Sequence, residues 1–105
     1  MLYYKRKGEG MDELKFEWDE NKNLLNQRKH GVNFETAAFV FEDEYHVEMY
    51  DVSHSIDEDR YIAIGKVGDF LYVVFTRRRE KIRLISARVA TKREVEIYYD
   101  QNLHS

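Results

Sequence analysis

The chain contains no cysteine, no proline and only five glycines. Without cysteine it has neither a disulfide framework nor a thiolate metal site, which fits a reducing compartment. No proline, Gly/Ser tract or internal repeat marks a linker. Apolar runs are only a few residues long, too short for a membrane-spanning helix. The leader Met1–Gly10 carries three basic residues with no hydrophobic stretch behind them, so it does not read as a secretory signal. Cytoplasm is the expected location. The acidic stretch lacks EF-hand spacing, and His46 and His54 do not form His-x-x-x-His. No phosphate loop, G-x-G-x-x-G or G-x-S-x-G is present. No metal and no cofactor is expected.

What is present is enough for one core. The 105 residues include fourteen Phe and Tyr plus Trp18, a composition that excludes disorder. We expect a flexible leader over 1–10 and a single domain over 11–105.

Charge is zoned. From Glu42 to Asp59 there are eight acidic residues and no Lys or Arg, whereas Thr76–Arg93 carries eight basic residues against Glu80 alone. A chain of net charge −3 can therefore still present an anion-binding face. The plainer alternative is two solvated charged surfaces.

Periodicity assigns the elements. Leu14, Phe16 and Trp18 alternate with polar residues, predicting a short strand. Asp19 caps a helix over Glu20–Lys29 that Gly31 ends, and Asn33 caps a second over Phe34–Phe41. Alternation from Tyr45 to Asp51 predicts a strand, Val52–Asp59 a loop, and Arg60–Val67 another strand. Gly68-Asp69 is a turn before the apolar strand Phe70–Thr76. Lys81–Ala87 is the last strand, with Ile82 and Leu84 on one face and Arg83 and Ile85 on the other. Thr91-Lys92-Arg93-Glu94 is a capping box opening a final helix. The expectation is an α+β fold, with two N-terminal helices and a C-terminal helix packed on one face of an antiparallel sheet of about four to five strands.

Arginine dominates the basic segment, which suits bidentate contact with phosphate oxygens. Arg78 and Arg83 flank one hairpin, and Arg88 precedes a capped helix N-terminus. The alternative for each is pairing with Glu80, Glu94 or the acidic loop. His54 can serve as acid or base, or can simply be hydrogen-bonded to Asp51 or Asp57. Lys29 can reach a phosphate, and His30 reads as a helix-end residue. Tyr98 can stack on a base, although its stripe position favours the core. The chemistry that needs least from such a set is metal-free phosphoryl transfer on RNA, where the 2′-OH supplies the nucleophile. The acidic loop is expected away from the RNA path, since like charge repels.

The run Phe16-Glu17-Trp18-Asp19, with Asn26, Lys29-His30-Gly31-Val32, Phe34-Glu35 and Ala37, resembles the N-terminal half of the BrnT toxin family. The resemblance continues through His54-Ser55, Arg60, Ile64-Gly65, Thr76, Arg78, Ile82-Arg83-Leu84-Ile85-Ser86-Ala87-Arg88, Ala90-Thr91, Glu94 and Tyr98. It spans about Leu14 to Tyr99.

It implies a RelE-like ribonuclease toxin of a type II toxin–antitoxin system, an endoribonuclease that inhibits translation and growth. Its antitoxin would be BrnA, a ribbon-helix-helix protein through which alone the complex meets DNA. Catalysis would fall to Arg60, Arg78 and Arg88 for phosphate charge, with Lys29 or His54 moving protons. Arg77, Arg79, Lys81, Arg83, Lys92 and Arg93 would bind the RNA backbone, with Tyr98 beside them. A non-catalytic RNA- or partner-binding domain, or a degenerate toxin, is the competing reading.

Overall fold

A computed structural model of the chain describes residues 2–6 and 13–103. Its elements are β1 (Leu2–Arg6), β2 (Glu13–Glu17), α1 (Glu20–His30), α2 (Phe34–Ala37), β3 (Val47–Tyr50), β4 (Tyr61–Val67), β5 (Asp69–Arg78), β6 (Lys81–Val89) and α3 (Lys92–Leu103). From β2 onward the order matches the expected succession. Within the stretch read as a leader, residues 2–6 form β1, paired antiparallel with β2, while residues 1 and 7–10 lie outside the described residues.

Local chemistry sets the helix ends. Asp19 accepts hydrogen bonds from the Asn21 and Lys22 amides, and Gly31 closes α1 at φ 72. Asn33 accepts from the Thr36 amide at 2.7 Å. The second helix is shorter than predicted: α2 tightens at Ala38 into a 3-10 segment running to Glu42. At α3 the capping box forms reciprocally. The Thr91 amide donates to Glu94 at 2.8 Å and the Glu94 amide to Thr91 Oγ1 at 3.3 Å.

The sheet has six strands in the order β1-β2-β6-β5-β4-β3. It is mixed, not antiparallel as expected, because β2 runs parallel to β6. After β2 the chain crosses one face as α1, α2 and the 3-10 segment, then returns from the far edge through three antiparallel pairings. The returning β6 ends alongside β2 in the same direction, which hairpin lengths alone do not reveal.

Nor do all helices share a face. Trp18, Phe34, Ala37, Val40 and Phe41 pack with Phe16, Ala63, Leu71, Val73, Phe75, Ile82 and Leu84 on one side. The opposite side gathers Ile62, Ile64, Phe70, Tyr72 and the α3 residues Ile97 and Tyr98. β4 and β5 are apolar on both faces, so both need cover, and α3 supplies the second. Gly65 lies where the 3-10 segment crosses β4. A Cβ there would sit 2.7 Å from Val40 Cγ1 and 3.1 Å from the Val40 carbonyl oxygen.

Candidate active site

α3 covers only part of its face. Beyond it lies an open cleft of about 280 Å³ lined by Asp51, His54, Arg60, Tyr72, Val74, Ile85, Ser86 and Arg88. Three of the five residues singled out for catalysis (His54, Arg60 and Arg88) are thus together. Arg78 joins through Glu58, which lines an adjoining hollow with His54 and Arg60 and receives a forked hydrogen bond from Arg78 at 3.1–3.3 Å. Lys29, exposed in the last turn of α1, lines neither recess.

A β-bulge brings Arg88 here. Val74 pairs with Ser86 and Phe75 with Leu84, so Ile85 is an extra residue in β6. Strict alternation would send Ala87 to the side of Arg83, and Arg88 to the buried side of Leu84. The bulge shifts the phase by one. Ala87 therefore joins the core beside Leu84, and Ile85, Ser86 and Arg88 line the cleft. Asn26 of α1 ties this segment down, its side chain bonding the Ala87 amide at 3.1 Å and carbonyl at 2.7 Å.

Arg88 is held on two sides. Its guanidinium lies 4.0 Å from the centre of the Tyr72 ring. Nη1 and Nη2 each donate to Glu94 at 2.8 Å, and Nη1 also to the Val89 carbonyl at 3.3 Å. The hydrogen bond from Arg88 lowers the Glu94 carboxyl below its usual range, against the opposing effect of burial. A guanidinium has five donors, so Nε–H and one Nη2 hydrogen remain, an edge suited to two phosphate oxygens. Arg78 and Glu58 are more exposed, a pairing worth only about 0–1 kcal/mol and readily exchanged.

The loop carrying His54 is closed by its own backbone. The Asp51 amide donates to the Arg60 carbonyl at 2.8 Å. Inside the closure the Ser55 hydroxyl donates to the Asp51 carbonyl at 2.6 Å and accepts from the Arg60 amide at 2.9 Å. His54 Nδ1 meets the Asp51 carboxylate at 3.0 and 3.1 Å. The acidic stretch is therefore not clear of the basic face as expected: Asp51 enters the cleft and Glu58 meets Arg78, because Arg60 and β4 begin directly after it.

The wider basic set divides. Arg83 sits on the cleft side, 3.6 Å from Glu17. Arg77 points to the other face, bonded to Glu48 and lying over Tyr61 and Phe75. Arg79 forms the hairpin turn at φ 59. Lys81 begins β6, and Lys92 and Arg93 are exposed in the first turn of α3. Tyr98 is 6% exposed, edge-on to Phe70, with its hydroxyl donating to Asp43 at 2.8 Å. Burial and that bond hold its phenol far above the ordinary range. This is a core residue with no face free for a base, a correction to its candidacy for RNA contact. Tyr72 has only its place in an apolar strand to mark it in the sequence, and Ser86 stands out only as part of the Ile82–Arg88 run of the family resemblance.

The chain is thus a small α+β protein with a mixed sheet, one face of which carries an open cleft lined in part by Arg60 and Arg88. Residues 18–94 match the family described as "Ribonuclease toxin, BrnT, of type II toxin-antitoxin system". The chain belongs to that family. It is also similar to the Brucella abortus ribonuclease toxin BrnT, known from a crystal structure, at 26% identity and a TM-score of 0.52 over 71% of this chain and 94% of that one. None of the curated proteins compared with it matches. Among the described residues no helix is long and apolar enough to cross a membrane.

Proposed function

We propose that this protein is a metal-independent endoribonuclease toxin that stops translation and growth until a BrnA-type antitoxin covers it. The observation that carries the reading is the gathering of His54, Arg60 and Arg88 in one open cleft. In that cleft the 2′-OH of a bound RNA would give its proton to His54 Nε2 and attack the neighbouring phosphorus. The new O2′–P bond forms as the P–O5′ bond breaks, and the 5′ oxygen takes a proton from solvent. Negative charge builds on the phosphate oxygens, where Arg60 and the free edge of Arg88 neutralise it. Arg78 exchanges Glu58 for a phosphate oxygen. Lys29 lines neither recess, so proton transfer falls to His54.

Arg83, Lys81 and Arg79 extend a path for the RNA backbone from the cleft to the hairpin tip, and Lys92 and Arg93 flank its other end. The partner would be a ribbon-helix-helix antitoxin, and the working location the cytoplasm.

Antitoxin-free protein is expected to cut single-stranded RNA in the presence of EDTA. Arg88→Ala should slow the cutting on the order of 10²-fold while the protein stays folded. Intact RNA after incubation with folded wild-type protein, with RNA binding unimpaired, would favour the non-catalytic binding module. Growth arrest on expression, relieved by the product of an adjacent gene, tests the toxin–antitoxin half.

A further inference from the structure

Asp51 has no role in the reading above, yet its geometry is that of a working group. Its side chain is only 9% exposed, whereas the His54 ring beside it is 68% exposed. An ionised carboxylate only accepts hydrogen bonds, so the proton in the Asp51–His54 contact belongs to Nδ1. In the neutral ring Nε2 then carries the lone pair, and among the described residues nothing binds it. Asp51 is fixed in turn. Its amide reaches the Arg60 carbonyl, its own carbonyl accepts from Ser55, and Ser53 Oγ donates to Oδ1 at 3.2 Å. The same few bonds therefore hold a proton acceptor and the Arg60 cation in one unit.

We infer that Asp51 is a positioning residue: it sets the tautomer and orientation of His54 so that Nε2 faces the cleft as a proton acceptor. A staple for the loop would need only the backbone closure and Ser55. The buried carboxylate adds control over which ring nitrogen bears hydrogen. Its catalytic consequence rests on the ribonuclease reading; its chemical content does not.

Two measurements on the full chain, free of antitoxin, test it: the nitrogen NMR shifts of the His54 ring at mildly alkaline pH, and single-turnover cutting of a single-stranded RNA. The wild-type ring should be in the Nδ1–H form. Asp51→Asn can keep the contact while offering an amide N–H, so the ring should switch to Nε2–H. Cutting should then slow on the order of 10²-fold, as in His54→Ala. The double substitution should be no slower than either single one, because the two residues act as a unit.

An Nε2–H ring in the wild-type protein overturns the inference, even if Asp51→Asn fails to fold. Unchanged cutting by folded Asp51→Asn also overturns it. If wild-type protein cuts no RNA, the ribonuclease reading falls. The ring form in wild type and in Asp51→Asn then still decides the inference about Asp51.

Discussion

One strand shows how differently the two faces of this sheet are used. On β5, Leu71, Val73 and Phe75 point into a layer of aromatic and aliphatic side chains and are at most 3% exposed. Between them, Tyr72 and Val74 line an open cleft, and Thr76 spends its hydroxyl on the Asp59 carbonyl at 2.6 Å. The covered face supplies the hydrophobic stabilisation that lets the other face hold arginines without a full apolar cover. Polar groups on the open side are pinned by forks, stacking and loop closure. Their anchors are directional bonds rather than close packing.

That contrast can be broken by substitution on one strand. Phe75→Ala should cost about 3–5 kcal/mol, read from urea unfolding, because a buried ring leaves a cavity. Val74→Ala, one residue away on the cleft side, should cost well under half of that. Equal losses would mean that the open face also packs as core.

A smaller effect lies beside the edge strand β3, where His46 is largely covered. His46 Nδ1 meets the Asp43 carbonyl and Nε2 meets Glu48, both at 2.8 Å, so both nitrogens donate in the charged ring. Burial disfavours that charge, but the bonds to Glu48 and the Asp43 carbonyl prevail, and the His46 pKa is raised. The Glu48 pKa is lowered, chiefly by the same bond to His46. A raised histidine stabilises the fold fully below its unfolded pKa and loses that contribution as pH rises through the folded value. The lowered glutamate contributes above its unfolded pKa and loses it as pH falls through the folded value. Stability should therefore decline on both sides of a mildly acidic optimum. His46→Gln should flatten the alkaline limb by on the order of 1 kcal/mol in urea midpoints taken across pH. An unaltered limb would assign the decline to other groups.

The smallest expected change is at the hairpin tip. Arg79 occupies the left-handed region at φ 59, where a Cβ costs about 1–2 kcal/mol. Glycine removes that strain but has more freedom to lose on folding. Arg79→Gly should raise stability by a few tenths to about 1 kcal/mol while weakening RNA binding. A destabilised variant would show that the arginine side chain, not the backbone, holds the turn.

What was legible in the sequence was what is decided within a few residues. Asp19, Gly31, Asn33 and the Thr91/Glu94 box act on their own helix ends, and each does so in the structure. The parallel register of β2 on β6 and the placement of α3 opposite α1 depend on partners far along the chain, and no local period records them. Within the cleft, His54, Arg60 and Arg88 stood out by residue type. Tyr72 did not, since a tyrosine in an apolar strand carries no distinguishing pattern, and Ser86 was marked only by the run it belongs to, not by a chemistry of its own. Asp51 stands three residues from His54 and was weighed only as a surface partner; its burial is what changes its meaning.

The bulge at Ile85 also ties the length of β6 to its phase. Loss of either Ile85 or Ser86 would preserve every charged residue of the segment. It would also preserve their phase: with one residue fewer and no bulge, alternation from Leu84 still turns Ala87 into the apolar layer and Arg88 into the cleft. A change of one residue between Leu84 and Arg88 therefore keeps this site only if the bulge is lost with it. Residue count and bulge together are thus a sharper test of a related chain than counting its arginines.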